Sequence, residues 1–374
     1  MNAVGDSAAE LRRTPLHAVH EEAGATLVDF AGWSMPLRYS SEKAEHTAVR
    51  ERAGLFDLSH MGEIHILGPQ ADALLDYALV GFLSKVKTGR ARYTMITDAD
   101  GGVLDDLIVY RLAEDHYLVV ANAANAAAVL AALTERADGF DARVEDRSDG
   151  TALIALQGPK AVEILAPLTD ADLGGIRYYA GYRHTVAGYP VLLARTGYTG
   201  EDGFELFIEP GTDAPAVWRA LLAEGAEHGL VPAGLSARDT LRMEAGMPLY
   251  GQELSRDLTP FDAGQGRVVK FDKEGPFVGR AALERAAERG GGRRLIGLAG
   301  RGRRPLRSGM PVLRDGEQVG TTTSGAPSPT LGRPIAMAYV DAELDTAAGT
   351  FTVDVRGRGE EVDVVDLPFY KREG

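Results

Sequence analysis

Two adjacent carboxylates interrupt an apolar run in Gly101-Gly102-Val103-Leu104-Asp105-Asp106-Leu107-Ile108-Val109-Tyr110. Side chains alternate across a strand, so Leu104, Asp106, Ile108 and Tyr110 are expected on one face. Asp105, Leu107 and Val109 are expected on the other. One aspartate should then sit in a more buried setting than its neighbour. A carboxylate among apolar groups costs free energy unless a partner or a ligand compensates it. The run therefore reads either as a site or as a strand start whose aspartates satisfy turn amides. Tyr110 on the face of Asp106 favours a site, because an aromatic ring can stack on a flat ligand.

A second group is Gly197-Tyr198-Thr199-Gly200-Glu201-Asp202-Gly203-Phe204-Glu205. Its glycines imply a tight loop with close backbone approach. It lacks the Lys-Ser/Thr ending of a phosphate loop, and its acidic residues would repel phosphate. It is either a plain turn or a device that places Glu205, just inside the next strand, to accept hydrogen bonds from an amino-heterocycle edge. A third group is Gly234-Leu235-Ser236-Ala237-Arg238-Asp239-Thr240-Leu241-Arg242-Met243-Glu244. On a helix, Arg238 and Arg242 share a face, with Asp239 and Glu244 available as partners. The choice is between a solvated, ion-paired face and an arginine free to bind a carboxylate. His17, His20, His46, His60 and His65 fit no metal motif, and His60 reads as a satisfied structural histidine. No serine elbow or zincin pair occurs, so those hydrolase readings fail.

These residues need elements to hold them. A helix over 40–52 is expected, capped by Ser41. Residues 63–67 alternate as a half-buried strand. Residues 103–112 and 116–121 read as neighbouring strands of a hairpin after the Gly101-Gly102 turn. The alanine-rich stretch 125–137 is helical, with Asn125 as N-cap. A strand over 151–156 leads into a helix with Pro159 in its first turn. Strands follow at 190–194 and 204–208, then a helix over 235–245 with Ser236 as a possible cap. Residues 290–292 mark a linker. Beyond it, Asp315-Gly316 signals a hairpin, and 351–355 pairs with 362–365. The last hundred or so residues read as a small β-barrel or sandwich. Hairpins outnumber βαβ units, so the class is α+β.

The chain has 374 residues, which implies two or three domains. Its 45% hydrophobic and 25% charged content is that of a globular protein. A formal net charge of −14 argues against nucleic acid or anionic membranes as partners. The local basic cluster over 293–307 reads as a solvated loop between domains, with a basic cleft as the alternative. The absence of cysteine excludes disulfides, thiolate metal sites and a cysteine nucleophile. No run approaches the roughly 18 apolar residues of a membrane helix. Residues 1–13 have no apolar signal core and read as a short disordered lead, so a cytoplasmic location is expected.

In order and spacing, these segments resemble the glycine cleavage T-protein family from about residue 14 to the C-terminus. Matching runs include Thr14-Pro15-Leu16-His17, Val28-Asp29-Phe30-Ala31-Gly32-Trp33, Met35-Pro36-Leu37 and Phe56-Asp57-Leu58-Ser59-His60-Met61-Gly62. Gln157-Gly158-Pro159, the stretch 238–251, Thr323-Ser324-Gly325 and Ser328-Pro329-Thr330-Leu331-Gly332 join the three groups above. The resemblance implies a three-domain cloverleaf around a central folate-binding opening. It places residues 1–55 and 148–275 in a discontinuous folate-binding domain, 56–147 in an inserted α+β domain, and 276–374 in a C-terminal β-barrel-like domain.

The same resemblance implies a tetrahydrofolate-dependent aminomethyltransferase served by a lipoyl-bearing H-protein, acting as a monomer or weak oligomer. It implies Asp106 as the catalytic aspartate and Glu205, Tyr110 and Tyr198 as pterin contacts. It also implies Tyr93, Asn122, Met61 and Tyr178 as lining, Arg238 as the ligand-binding arginine, and Lys371 or Tyr370 as closing the site. Ser236 stands where glycine is common, Gln265 and Arg267 where apolar residues are frequent, and Arg92 where an uncharged residue precedes the tyrosine. Two other readings keep the folate: a demethylase of a methylated amine or sulfonium, and a non-catalytic folate-binding protein assisting iron–sulfur assembly. Relatives of the latter carry a cysteine motif that this chain lacks.

Overall fold

A computed structural model describes residues 10–290 and 292–372. The expected disordered lead therefore falls mostly outside the described residues. Arg12 does not belong to it, since its N–H donates to Gly32 O at 2.9 Å and its guanidinium lies 3.9 Å from the Trp33 ring.

Beside a two-stranded sheet of Thr26–Phe30 and Trp33–Arg38, three larger sheets organise the described residues. The first has six strands in the order Gly181–Val186, Tyr189–Ala194, Gly203–Ile208, Ala152–Gln157, Ala53–Asp57 and Leu230–Pro232. Only the last pair is parallel. Three adjacent strands, Gly203–Ile208, Ala152–Gln157 and Ala53–Asp57, are buried at every residue. One face packs Leu55, Ile154, Leu156, Phe204 and Leu206 with Trp218 and Leu221 of the helix Ala214–Gly225. That helix starts where Asp213 accepts from Ala216 N at 3.0 Å. Each large apolar side chain buried there is worth about 1.5–3 kcal/mol.

The second sheet is antiparallel, in the order Ala91–Thr97, Val103–Ala113, His116–Ala121, Gly62–Leu67 and Arg143–Asp146. Helices Ala71–Ala78 and Ala126–Arg136 cover one face through Leu74, Leu75, Val129 and Leu133. The opposite face packs Tyr110, Leu118 and Val120 against Phe56, Leu153, Leu192 and Phe207 of the six-stranded sheet. Val103–Ala113 is thus covered on both sides. The third sheet is a closed barrel of Arg293–Gly300, Arg333–Asp341, Glu317–Ser328, Pro311–Arg314, Phe351–Asp354 and Gly359–Val365, which leaves no free edge. Its tight turn uses Asp315 at φ 51° and Gly316 at φ 90°, the two positive angles a two-residue hairpin needs.

The α+β class and the C-terminal barrel match the expectation, while several details differ. Leu104 packs with Leu107 and Val109, not on the face of Asp106. The cause is a register shift: Thr97 pairs with Val103 but Ile96 with Asp105, so one extra residue bulges out between them. Residue 56 is not a domain edge, because Ala53–Asp57 belongs to the six-stranded sheet. Leu254, Ala263, Val269, Phe277 and Leu283 pack on Val80, Met95 and Val103, so residues 254–283 join the five-stranded unit. Lys273 fastens this segment by donating to Asp76 O, Leu79 O and Gly81 O at 2.7, 2.6 and 2.9 Å. Gly234, not Ser236, is the N-cap of Leu235–Glu244, and its N–H donates to Glu45 Oε2 at 2.9 Å. Pro159 precedes the helix Ala161–Leu165 instead of lying in its first turn. The 293–307 cluster is not simply a solvated loop: Arg293–Gly300 is a barrel strand, and Arg301 and Arg304 pair with Glu361 and Glu360.

Glu244 ties the barrel to the rest. It accepts from Ser328 Oγ at 2.5 Å, at the end of a barrel strand, from Thr330 Oγ1 at 2.7 Å, in the turn after it, and from Arg50 Nη2 at 3.0 Å. His46 Nε2 lies 3.1 Å away. Burial works to raise its acid constant, but His46, Ser328 and Thr330 outweigh it and hold the carboxyl down at about 2. A folded value below the unfolded 4.5 stabilises the fold above that pH, and the benefit fades as pH falls toward 2. Glu244→Gln is expected to lower unfolding stability by about 3 kcal/mol at neutral pH. The gap from the parent protein should close below about pH 4 when urea unfolding is followed across pH.

Candidate active site

Asp106 projects from the strand Val103–Ala113 with both oxygens engaged. Tyr93 Oη donates to Oδ2 at 3.0 Å, and Asn122 Nδ2 donates to Oδ1 at 2.8 Å. Tyr93 comes from the adjacent strand Ala91–Thr97, and Asn122 follows His116–Ala121 on the other side. Three consecutive positions of one sheet thus converge on one carboxylate. Burial raises its acid constant above the ordinary 3.8, and the two donors restrain the rise. Asp105 is the fully buried member of the pair, pushed up to about 7 by burial and then by the charge of Asp106. Asn122 N, Asn122 Nδ2 and Asn125 Nδ2 donate to it. Asn125 does stand at the N-cap of Ala126–Arg136, but its side chain serves Asp105 instead of the helix.

A second carboxylate, Glu205, stands on the six-stranded sheet. Glu205 Oε2 accepts from Thr196 Oγ1 at 2.6 Å, with Tyr110 Oη 3.4 Å away. Tyr110 Oη also lies 2.9 Å from Thr196 Oγ1. Burial raises the acid constant of Glu205, against the pull of Thr196 and Arg238. The loop before it is shaped by packing. A Cβ on Gly197 would stand 2.0 Å from Gln157 Oε1, and one on Gly203 would stand 2.4 Å from Leu156 O. Arg50 Nη1 fixes the loop by donating to Thr199 O and Glu201 Oε1 at 2.7 and 2.8 Å.

The two arginines of Leu235–Glu244 divide the roles that the sequence left open. Arg242 is a clamp, 2% exposed, donating to Glu253 Oε2 at 3.0 Å, Ser324 Oγ at 2.9 Å and Asp239 Oδ1 at 2.8 Å. The side chain of Arg238 makes no hydrogen bond or ion pair among the described residues. Its guanidinium lies 4.6 Å from the centroid of the Tyr198 ring, whose hydroxyl is turned away to donate to Pro248 O. Burial lowers the acid constant of Arg238, while Tyr198 and Glu205 oppose that shift. It is the cation still in need of an anion.

Other expected residues spread more widely. Tyr110 is 1% exposed, so it supports Glu205 from behind and offers no open ring for stacking. Tyr178 is 45% exposed, at the rim, with its ring set edge-on to Tyr179 at 4.9 Å. Met61 is half-buried against the same apolar layer as Tyr110. Lys371 is exposed, whereas the Tyr370 ring lies 4.1 Å from the Arg50 guanidinium. The tail reaches the rim through Arg372, 3.7 Å from Asp202. His60 is buried but not satisfied, since Nδ1 finds no partner among the described residues. Burial first, and also Arg238, push its acid constant down to about 4, so the ring is neutral.

Tyr179 is the residue that the sequence did not expose. Burial first, then Tyr178, Glu205 and Asp106 push the pKa of its hydroxyl up. Its φ of 58° is costly for a bulky side chain, and no local pattern announces it. Thr196, just before the glycine loop, and Asn125, hidden as a helix cap, were also missed. The arrangement offers acceptors at Asp106 and Glu205, a tyrosine on each of them, and an unpaired cation at Arg238. That set suits a flat ligand bearing N–H groups at one end and a carboxylate at the other. A separate cleft of about 540 Å³ on the barrel, lined by Arg304, Arg307, Arg356 and Arg358 among others, shares no residue with it.

Residues 16–273 match the model of the GCVT N-terminal domain, and 293–371 match that of the glycine cleavage T-protein C-terminal barrel domain. The chain is 65% identical to the aminomethyltransferase of Streptomyces coelicolor, over 98% of this chain and 100% of that protein. It is 49% identical to that of Moorella thermoacetica, over 97% and 99%. The crystal structure of glycine cleavage system aminomethyltransferase T from Bartonella henselae superimposes with a TM-score of 0.88. That match has 36% identity and covers 96% of this chain and 98% of the other.

If Arg242 is a clamp and Arg238 a ligand group, the same substitution separates them. Arg242→Gln is expected to cost about 3 kcal/mol in urea unfolding, because it strands buried Glu253. Arg238→Gln should change stability by less than about 1 kcal/mol in the same assay, since it breaks no pair.

Proposed function

The chain belongs to the glycine cleavage T-protein family and is an aminomethyltransferase-family enzyme; we propose that it converts aminomethyl-lipoyl H-protein and tetrahydrofolate to dihydrolipoyl H-protein, 5,10-methylenetetrahydrofolate and ammonia. The observation that carries this reading is the doubly held Asp106, together with Glu205 held by Thr196 and the unpaired guanidinium of Arg238 over the Tyr198 ring. Reduced folate has the matching parts: a flat pterin with N–H donors and a carboxylate tail. Its amines supply the nucleophile that takes up the methylene.

The side chains of this protein supply orientation and proton management. Tyr93 and Asn122 each use one donor on Asp106, which leaves acceptor capacity on both oxygens for an incoming N–H. An ionised Asp106 can accept a proton as an amine becomes bonded to carbon, and its raised acid constant brings it nearer the range of a working base. Glu205, held by Thr196, accepts from the far edge of the heterocycle and fixes its angle. Arg238 takes the tail carboxylate, with Tyr198 under its guanidinium keeping it in place. Burial of Glu205, and partial burial of Asp106, limits the access of competing water to the reacting methylene.

Ammonia release from aminomethyl-loaded H-protein, with tetrahydrofolate present, tests the reading directly. Asp106→Asn is expected to cut turnover about 100-fold or more while the protein stays folded by circular dichroism. Asp105→Asn should cut it far less. Equal losses in both, or turnover of a free methylated amine with loaded H-protein inert, would overturn the assignment.

A further inference from the structure

Asp105 has no part in the reaction as described, yet it is the more heavily coordinated of the two aspartates. It is 0% exposed and takes Asn122 N at 2.9 Å, Asn122 Nδ2 at 2.9 Å and Asn125 Nδ2 at 2.7 Å. Alternation along the strand sends it toward the helix Ala126–Arg136, away from Asp106. The Asn122 side chain joins the two. Its Nδ2 donates to Asp105 Oδ1 and to Asp106 Oδ1, at 2.9 and 2.8 Å. An amide nitrogen carries two hydrogens, one for each carboxylate. The opposite amide orientation would aim an oxygen at two carboxylate oxygens, so chemistry selects this one.

Asn125 adds an independent sign. It occupies the N-cap of Ala126–Arg136 but makes no side-chain cap bond. A cap of that kind is worth about 1 kcal/mol. Its amide is committed to Asp105 instead, so the helix start is arranged around the carboxylate.

We infer that Asp105 is a positioning residue of the reaction, which acts through Asn122 to fix the orientation and the charge of Asp106. The inference rests on Asp106 being the reacting carboxylate. With Asn122 held at two points by Asp105, its remaining hydrogen has one direction, toward Asp106. Tyr93 holds the other oxygen, so the carboxylate plane is set before a ligand arrives.

The charge follows from the same contact. Two carboxylates one peptide apart oppose each other's ionisation, and the pair titrates as a unit. The ionisable hydroxyls facing the pair are those of Tyr93, Tyr179, Tyr198 and Tyr250, each pushed above its ordinary value first by burial. They stay neutral near pH 7. No cation is bonded to either carboxylate among the described residues. Asp105 is therefore the one nearby charge that can change near neutrality, and its ionisation makes Asp106 a stronger base.

The test is the pH dependence of ammonia release, with kcat and KM for tetrahydrofolate separated, in the full-length enzyme with loaded H-protein. Asp105→Asn removes the neighbouring charge, so the acid limb of kcat should move down by roughly one pH unit. The plateau should fall about tenfold through lost orientation, with KM little changed. Asn125→Ala keeps both carboxylates and touches only a half-buried helix start. It makes Asp105 take its proton more readily, so its limb should move the same way by less. This variant carries the test if Asp105→Asn fails to fold. Limbs that superimpose on the parent, with kcat lowered uniformly or not at all, would reduce Asp105 to a structural role and overturn the inference. Full activity of Asp106→Asn would instead remove the reading beneath it, so the two failures are distinguishable.

Discussion

Everything at the site depends on the strand Val103–Ala113 being packed from both sides. Helices press on Leu107 and Val109, and the six-stranded sheet presses on Ile108 and Tyr110. A strand clamped in this way cannot slip, because a one-residue shift would exchange every core side chain for its opposite. That fixes which aspartate faces Tyr93 and which faces Asn125. It also carries Tyr110 into the neighbouring sheet, where its hydroxyl supports Thr196 and Glu205. The apolar contact between the sheets therefore sets how the strand of Asp106 sits against the strand of Glu205.

The polar networks around this layer do a different job. Glu244 and Arg242 each bridge the helix Leu235–Glu244 to the strand Glu317–Ser328 or the loop after it. Buried ion pairs of this kind add little net stability compared with apolar packing, but they are costly to break. Their effect is to fix how the barrel sits on the other units. Arg238 lies on the same short helix with no such partner. Its position is set by Arg242 and Glu244 a turn or two away, so one helix holds both the anchors and the group free to meet a ligand.

The sequence made local features legible and tertiary ones less so. The cap at Ser41, the Asp315-Gly316 turn and the hairpin after Gly101 depend on residues a few positions apart, and each formed as expected. The glycine loop was legible as a close approach, but its target, Gln157, lies about forty residues away in the chain. Leu104 was misplaced because a bulge leaves no mark in an apolar run. Asn125 looked like a cap because the carboxylate that claims its amide lies on another strand. Arg238 and Arg242 have the same local context, so only the positions of Glu253 and Ser324 could tell them apart. Tyr179 joins the site through a left-handed backbone angle that nothing in its neighbours requires.

The site also shows where the fold gives up stability. Asp105, Asp106 and Glu205 all have acid constants raised first by burial, so the folded state is the poorer host for their charge. For an acid shifted upward, folding favours the protonated form, and stability declines as pH rises through the interval between the unfolded and folded values. For Asp105 that interval runs from 3.8 to about 7. A fold selected for stability alone would place apolar residues there. The hydrogen-bond donors are sufficient to keep the carboxylates in position but not to return them to their ordinary acidity. That partial compensation leaves Asp106 a stronger base than an ordinary aspartate, with the loss offset by the double-sided packing of the strand that carries it.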